Sequence, residues 1–535
     1  MRAFQFLPVC ILLACSSSSE VVADPDAEPI DGAVDDAGDA STVDGATDAP
    51  VGDAPPSDAP PAPTSGKIPL TLEADRGAAA AAVVSLGVPF PPGALASDKS
   101  LALFDAAGAE VAITTTVLAK WPADGSLRSV LVAFKTTLAA AAKATWELRY
   151  GAPRTLEATG LAANPDGPVA ATLPATWLSG SRVSGVLLPV AANKKFATYD
   201  TELESQLGKI AWGTFGSNCA STTNHRTYYD SPHGMYQLYA RVGDARHYRR
   251  AREEAVWYRA NELRWYEGRA MAVQVCQPSG WTPSVIIDWG VLRRMLGQGM
   301  LDDYLLTGDP AAKEAVLGLG EAYRRNLPAL TSGKEVTLEV TERNMAWPLM
   351  GLSAYYAIDP RKEVNDALES VVTRTVAWQA RGKSGAFEHD IVRPDPSECS
   401  NGPAGGSPFM TSLLVDGLMD YHALTLDPRV VDVVKKVAAW YETKAITTDK
   451  KAFRYLWNCL SDPYDSSDYA DLNLLIGHVF GAAYHLTKDP KWIAFGDTIA
   501  ASGVESIYVG RPKQWNQGAR AFGRYLGYRA AGAAP

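Results

Sequence analysis

Three observations predict a multidomain fold in which an antiparallel β-domain precedes an all-α (α/α)6 toroid. Short runs of alternating apolar residues fill the chain after a low-complexity N-terminal segment. Apolar residues then recur at the helical period through the second half. In that half, a helix ending in an aromatic residue and a turn containing Asp repeat at intervals of 50 to 68 residues. Such a period accommodates two helices and two connections, as in stacked helical hairpins.

The β-domain is predicted over residues 66–195. Residues 68–72, 101–104 and 130–134 alternate or are continuously apolar, and turn signals such as Asp124-Gly125 separate them. Short strands at intervals of about ten residues are typical of an antiparallel sandwich or barrel.

The toroid is predicted over residues 196–535, where the repeated turns join one helix to the next. Asp favours the cap of a helix and Pro favours its first turn. The turns are Gly243-Asp244, Asp309-Pro310, Asp359-Pro360, Asp427-Pro428 and Asp489-Pro490.

Alternate helices differ in their polarity. Residues 345–357, 409–426 and 472–486 are apolar nearly all round, whereas 251–264 and 364–381 have a charged face. A helix without a polar face is buried, so the first group forms an inner ring and the second an outer layer. Inner helices are predicted to begin near residues 231, 287, 342, 408, 468 and 515.

The connections from outer to inner helices are long. Loops of this length in a compact domain are usually functional or disordered. The active face is therefore predicted at the starts of the inner helices, where helix N-termini also favour anionic groups. These loops cover roughly residues 267–286, 327–341, 382–407, 447–467 and 505–514.

The N-terminus has the features of an export signal. Residues 1–15 contain one positive charge and a short apolar run, too short for a membrane span. Leu12-Leu13-Ala14-Cys15 matches the cleavage box of bacterial lipoproteins, which predicts cleavage before Cys15 and lipidation of its thiol; an ordinary signal peptide cut nearby is the alternative. Residues 16–65, mostly Ala, Asp, Pro and Gly, are predicted to be a disordered tether. We therefore expect an exported lipoprotein at the cell envelope or outer surface, held at the membrane by its lipid alone.

The net charge of the folded part differs from that of the whole chain. The chain carries −10, but the tether contains 12 acidic residues and no Lys or Arg. Because Arg2 adds +1, residues 66–535 carry +1. This near-neutral balance does not support nucleic-acid binding. We also expect the protein to be a monomer.

Four cysteines remain after the lipidation site: Cys219, Cys276, Cys399 and Cys459. An even number in an exported protein predicts two disulfides. Three pairings are open, and we favour Cys219–Cys276 with Cys399–Cys459 as neighbours across adjacent loops. No zinc-binding or phosphate-binding motif occurs in the sequence. No cofactor is expected, with calcium left open.

Two clusters carry the candidate catalytic residues. Glu342-Arg343-Asn344 opens an inner helix and Trp347 follows one turn later. They supply an acid, a carboxylate clamp, an amide and a sugar platform; a helix start with a buried ion pair is the alternative. Glu388-His389-Asp390 lies in a long loop, where histidine can act as a base and its neighbours can set its tautomer. A solvated loop or a structural cation site is the alternative there.

Aromatic and polar residues recur before the other inner helices. Such residues around one cleft suit stacking on sugar rings and hydrogen bonding to them, although packing would also explain each one singly. The candidates are Tyr228, Tyr229, Asp230, His233, Trp281, Asp288, Trp289, Asp465, Asp468, Tyr469, Trp515 and Asn516.

Three segments, taken in their order along the chain, resemble a known family. Residues 87–95, 101–105 and 118–126 together resemble the N-terminal β-domain of exo-acting rhamnogalacturonan lyases and their relatives. The helical part is similar to the six-hairpin glycosidase and lyase superfamily, through turns such as Thr307-Gly308-Asp309-Pro310. The resemblance implies this architecture and a carbohydrate substrate, but no catalytic residue is carried over from it.

Three functions remain open. A polysaccharide lyase would act by β-elimination at a uronic acid, with Arg343 and Asn344 neutralising the carboxylate, and His389, Tyr228 or Tyr229 as base or acid. An inverting glycoside hydrolase would pair two carboxylates roughly 6.5–9.5 Å apart, Glu342 with one of Asp390, Asp465 or Asp468. The third is a glycan-binding lipoprotein without turnover. All three predict a polysaccharide or oligosaccharide partner.

Overall fold

Antiparallel strands form the N-terminal part of the computed structural model. The structure describes residues 63–212, 226–266, 269–273, 295–331, 341–392, 399–461 and 467–532. All of them belong to one compact unit, Pro56–Pro535.

Two antiparallel sheets form the β-domain, as the alternating pattern predicts. One has the strand order β4-β3-β7-β1-β8 and the other β2-β6-β5. Apolar residues of both sheets, such as Leu70, Val132 and Leu148, are fully buried between them and the helices. The strands are β1 Gly66–Glu73, β2 Ala79–Pro89, β3 Leu101–Phe104, β4 Glu110–Val111, β5 Thr114–Lys120, β6 Leu127–Leu138, β7 Lys143–Tyr150 and β8 Ala170–Thr172.

Helices account for most of the chain after β8. A short hairpin, β9 Leu263–Tyr266 and β10 Arg269–Val273, interrupts them. None of the helices in the described ranges is long and apolar enough to cross a membrane. The helices are α1 Ala175–Ser181, α2 Ala197–Leu207, α3 Ser231–Val242, α4 Ala245–Asn261, α5 Gln298–Thr307, α6 Pro310–Thr331, α7 Glu342–Tyr356, α8 Lys362–Arg381, α9 Pro408–Thr425, α10 Arg429–Trp440, α11 Asn473–Ile476, α12 His478–Thr487, α13 Pro490–Glu505 and α14 Pro512–Gly532.

The inner helices α3, α5, α7, α9, α11 with α12, and α14 close into a ring. Glycines let neighbouring helices approach closely. At Gly299 of α5, a Cβ atom would lie only 2.5 Å from Cβ of Pro232 in α3, so these two helices pack against each other where a side chain is absent. Gly417 of α9 packs on α7, Gly481 of α12 packs on α14, and Gly234 of α3 packs on α14. Contacts of α5 with α7 and of α9 with α11 and α12 complete the circuit. The chain therefore folds into the toroid that the sequence predicts.

Asp244 and Asp489 are N-caps as predicted, whereas the N-caps of α10 and α8 are Pro428 and Arg361. Asp244 and Asp489 accept hydrogen bonds from backbone N–H groups of the first turns of α4 and α13, and Asp427 accepts one from Arg429. Before α8, by contrast, the N-cap is Arg361 and not Asp359.

Four of the six inner helices start within a few residues of the predicted positions, and one predicted start is not tested. The fifth inner element opens with a 3-10 turn, Ser467–Leu472, and its first α-helix begins at Asn473. The second inner helix, α5, begins at Gln298, whereas the sequence predicts a start near residue 287, which lies outside the described residues.

The C-terminal ends of the inner helices are covered by the β-domain and by residues 182–193. Ser129 of β6 donates a 2.6 Å hydrogen bond to the carbonyl oxygen of Leu305 at the end of α5. Arg241 of α3 donates to the carbonyl oxygen of Leu188 at 2.8 Å. Gly527 of α14 lies so close to the backbone that its Cβ would stand 2.2 Å from the carbonyl oxygen of Val186. The opposite end of the ring, where the inner helices begin, is the mouth.

Candidate functional site

Glu342 is the first residue of α7 and is fully buried at the mouth. Its Oε1 accepts hydrogen bonds from the backbone N–H of Ser407 at 2.8 Å and from the hydroxyl of Thr411 at 3.2 Å. Ser407 is the N-cap of α9, where backbone N–H groups and the helix dipole favour a negative charge. The start of one inner helix therefore fixes the carboxylate at the start of the next.

His389 meets that carboxylate from the long loop after α8. Its backbone pairs with Gly405 through hydrogen bonds of 2.8 and 2.9 Å, so the loop is ordered there. Its ring is fully buried, and Nδ1 lies 3.3 Å from Oε2 of Glu342. Neither ring nitrogen makes a hydrogen bond among the described residues, so the contact with Glu342 is one of charge and proximity. The structure thus joins the two candidate clusters of the sequence.

A disulfide joins two of the mouth loops. Cys399 and Cys459 are bonded, which confirms this half of the favoured pairing. Trp457 and Gly406 also pair through their backbones, with a 2.9 Å hydrogen bond from the N–H of Trp457. The His389 loop is therefore tied to the loop that carries Tyr455. Cys219 and Cys276 lie outside the described residues.

Tyr229 presents a buried phenol beside this pair of loops. Its ring centroid lies 4.8 Å from that of Tyr228 and 6.5 Å from that of Trp347. Burial, followed by the neighbouring phenols of Tyr228 and Tyr455, raises the pKa of Tyr229 well above its usual range, although Arg343 and Arg520 oppose this. The Tyr229 hydroxyl is therefore protonated near neutral pH.

Arg343, Trp347 and Met350 follow one face of α7 at helical spacing. The Arg520 guanidinium lies 5.0 Å from the Trp347 ring centroid and 3.3 Å from Sδ of Met350, so this face turns to the axis of the ring. Arg343 is partly exposed and Trp347 is buried. Arg343 is therefore a partly exposed cation at the mouth, one helical turn before Trp347 on the same face of α7.

The other residues of the two clusters shape the site from its edge. Asn344 is buried. Glu388 accepts a 2.6 Å hydrogen bond from the Ser384 hydroxyl, and Asp390 accepts one of 3.0 Å from the Val392 N–H, so both order the loop around His389.

Several predicted binding residues support the site from behind. Asp230 caps α3 and accepts a hydrogen bond from the N–H of Gly299. Trp515 is fully buried and its Nε1 donates to the carbonyl oxygen of Leu203. Asn516 bonds the backbone before α3. His233 lies deeper, with Nδ1 2.6 Å from Oδ2 of Asp302.

Some candidates lie beyond the description. Trp281, Asp288, Trp289 and Asp465 are outside the described residues. Asp468 and Tyr469 lie in the 3-10 turn before α11, at the predicted end of the ring, and only their backbone is described.

Sequence reasoning missed a charged cluster on the axis. Arg520 and Arg524 of α14 contact Asp416 at 2.7 and 2.5 Å, and Arg524 contacts Asp420 at 2.8 Å. Burial alone would raise the pKa of Asp416, but Arg524 and Arg520 hold it below its usual range. The signal was available: two Asp residues four apart in an otherwise apolar helix, and two Arg residues four apart in another.

Metal-ion chemistry has no obvious centre in the described ranges. No group of three or more His, Cys, Asp or Glu residues there could hold a metal ion.

Comparison with known proteins found one matching family model and several solved structures of similar fold. No curated protein matches the sequence. The structure of the unsaturated glucuronyl hydrolase of Streptococcus agalactiae is similar in fold. The match covers 64% of this chain and 93% of the hydrolase, with 10% sequence identity and a TM-score of 0.40. The match with a GH76 α-mannanase of Bacteroides thetaiotaomicron covers 64% of this chain and 98% of the mannanase, with 11% sequence identity and a TM-score of 0.40. The match with the cellobiose 2-epimerase of Spirochaeta thermophila covers 58% of this chain and 86% of the epimerase, with 15% sequence identity and a TM-score of 0.39.

At such identities and TM-scores, these likenesses assign neither an activity nor site residues to this chain. The family model is more specific. Residues 71–149 match the PcRGLX-like N-terminal RIFT barrel domain, which confirms the resemblance stated for the β-domain.

Proposed function

We propose that this chain is a carbohydrate-active enzyme that cleaves an acidic polysaccharide by β-elimination at a uronic acid residue. One arrangement carries the proposal: a cation and a protonated phenol stand at the mouth beside a histidine backed by a buried carboxylate. These are Arg343, Tyr229, His389 and Glu342. Trp347, one helical turn after Arg343, is the proposed surface for stacking on a sugar ring.

β-Elimination needs three contributions, and the site has a group for each. Arg343, with Asn344 beside it, neutralises the uronate carboxylate and so makes the C5 proton more acidic. Nε2 of His389 takes that proton, while the Glu342 carboxylate, 3.3 Å from Nδ1, stabilises the positive charge that the ring gains. The C5–H electron pair forms the C4–C5 double bond, the C4–O bond breaks, and the departing oxygen takes the proton of the Tyr229 hydroxyl. Proton exchange with solvent then restores both groups.

The contacts of Glu342 favour this assignment over an inverting hydrolase. A catalytic acid must reach the glycosidic oxygen. Oε1 of Glu342 already accepts two hydrogen bonds, and Oε2 faces His389. Asp390, one candidate for the second carboxylate, is engaged in a turn with Val392. Glu342 thus fits a positioning role better than a proton donor.

The test is turnover of the full-length protein on a panel of uronate-containing and neutral polysaccharides. Product with near-ultraviolet absorbance, dependent on Tyr229, supports the lyase. Reducing ends without that absorbance would indicate the hydrolase instead. Binding without either product would leave a glycan-binding protein.

Matched tyrosine variants make this test specific. Tyr229→Phe removes the proposed donor just before α3, and Tyr239→Phe removes a buried phenol near the other end of the same helix. We expect the first to lose turnover and the second to keep it. Equal loss in both would contradict a special role for Tyr229.

We also propose that the enzyme is anchored at the cell envelope through a lipid on Cys15. The cleavage box and the acidic tether support this. Labelling with a radioactive fatty acid should mark the wild-type protein and spare Cys15→Ala; equal labelling of both proteins would refute it.

A further inference from the structure

The turn that presents Tyr229 has an unfavourable backbone. Tyr229 and Asp230 both have left-handed φ angles, 70° and 64°. Neither is glycine, so the Cβ of each crowds the backbone. Two such residues in succession persist only where the surrounding structure holds them, and strain of this kind concentrates at functional sites.

One face of α14 holds this turn. Nη1 of Arg520 donates a 3.0 Å hydrogen bond to the carbonyl oxygen of Tyr229. One helical turn earlier, Nδ2 of Asn516 donates to the carbonyl oxygens of Tyr228 at 2.9 Å and Arg226 at 2.8 Å. The last inner helix therefore binds three carbonyl groups of the segment that enters the first.

Arg520 is itself fixed by two other inner helices. It is fully buried, and Nη2 donates to Oε1 of Gln298 in α5 at 2.6 Å and to Oδ2 of Asp416 in α9 at 2.7 Å. Its guanidinium also lies over Trp347, whose ring neighbours that of Tyr229. A planar guanidinium can make these contacts at once, whereas a lysine ammonium cannot reproduce the fork.

We propose that Arg520 is a positioning residue for the reaction: it holds the strained turn through the Tyr229 carbonyl and so aims the phenol at the substrate. Arg520 acts only through Tyr229 and does not touch the sugar. This inference rests on the proposed function of Tyr229 as proton donor.

A kinetic cycle tests the coupling. We expect Arg520→Met to lower kcat by roughly 10- to 100-fold, because small misplacements of a catalytic group have effects of this size, with KM nearly unchanged. If Arg520 acts through Tyr229, adding Arg520→Met to Tyr229→Phe should cost little more than Tyr229→Phe alone. Multiplicative losses would mean a general structural role and would overturn the proposal.

Two further variants guard against loss of folding. Asn516→Ala removes bonds to the same turn without changing any charge, and it should lower kcat about tenfold in the same way. Arg529→Met, on the same helix, removes the ion pair with Asp497 near the surface and should leave kcat unchanged. A kcat loss in Arg529→Met equal to that in Asn516→Ala would count against the proposal.

A crystal structure of Arg520→Met separates this inference from the proposed reaction. We expect the backbone at Tyr229 to leave the left-handed region and the ring to move away from Trp347. An unchanged turn would overturn the positioning role, whatever the activity. Absence of turnover in the wild-type protein would overturn the proposed function alone.

Discussion

The two ends of the helical ring are built from the same repeating hairpin but use it differently. At the C-terminal ends of the inner helices, tight turns, the β-domain and residues 182–193 pack against the helices. At the mouth, long loops lead to the helix starts where Tyr229, Glu342 and Arg343 lie, and one of these loops places His389 against Glu342. The difference teaches that, in this fold, loop length marks which end is available for chemistry, because the helices themselves are equivalent.

The histidines at the two ends sharpen this contrast. His389 at the mouth has one carboxylate neighbour and an unpartnered Nε2 among the described residues. His247, near the other end, is held on both ring nitrogens, by Asp244 and Glu204, each at 2.7 Å. The first arrangement leaves a ring nitrogen without a partner among the described residues, and the second leaves none.

The largest expected effect is on turnover and distinguishes these two histidines. His389→Ala should lower kcat by about 10²- to 10⁴-fold, the usual contribution of a general base, while His247→Ala keeps kcat and loses stability. Steady-state kinetics and chemical denaturation of both variants check this. The contrast fails if both variants lose the same property.

The next effect concerns the charge at the mouth. Arg343→Met should lower kcat/KM on a uronate substrate by roughly 10- to 100-fold, since charge-assisted bonds to a carboxylate are strong. On the methyl-esterified substrate, which carries no charge, the loss should be much smaller. Arg325→Met, on the outer helix α6 beside Glu321, is the matched control and should change neither value. An equal loss on both substrates would remove Arg343 as the neutralising group.

A third prediction concerns packing at the covered end. A Cβ at Gly527 would stand 2.2 Å from the Val186 carbonyl oxygen, whereas a Cβ at Gly523, one turn earlier in α14, would meet Arg241 and Leu187 at 3.5 Å. Gly527→Ala should therefore lower the free energy of unfolding by about 1–3 kcal/mol through overpacking. Gly523→Ala should raise it by up to about 1 kcal/mol, because alanine favours the helix. Denaturant unfolding measures both, and destabilisation of equal size in the two variants would contradict the packing argument.

The smallest effect is a pH dependence of stability at His247. Burial by itself lowers the pKa of His247, but the bonds and charges of Asp244 and Glu204 outweigh it, so the pKa is raised above its ordinary value of 6.5. A raised histidine pKa stabilises the fold fully below the unfolded value, and this contribution is lost as pH rises through the folded value.

The stability advantage of wild type over His247→Gln should therefore be larger at mildly acidic than at alkaline pH. Arg246, which also pairs with Glu204, and the exposure of both carboxylates keep this difference below about 1 kcal/mol. Denaturation across pH measures it, and a pH-independent difference would refute the assignment.

Local periodicity and local capping were enough to predict several features of the fold. The helical period and the Asp-containing turns predicted the ring of hairpins, the alternation of short runs predicted the β-domain, and loop length predicted the mouth. Of the three pairings that the sequence left open, the favoured one contains the Cys399–Cys459 disulfide, because the repeat places the two loops side by side.

Tertiary structure alone decided which side chains meet inside the ring. Three contacts depend on how far each helix is rotated about its own axis. They are the hydrogen bonds from the start of α9 to Glu342, the contact of Glu342 with His389, and the hydrogen bond from Arg520 to the Tyr229 turn. A helix that is apolar all round carries no local signal for that rotation, and among the inner helices the paired charges of α9 and α14, Asp416 with Asp420 and Arg520 with Arg524, are the exception. Only the packing of all the inner helices against one another fixes it.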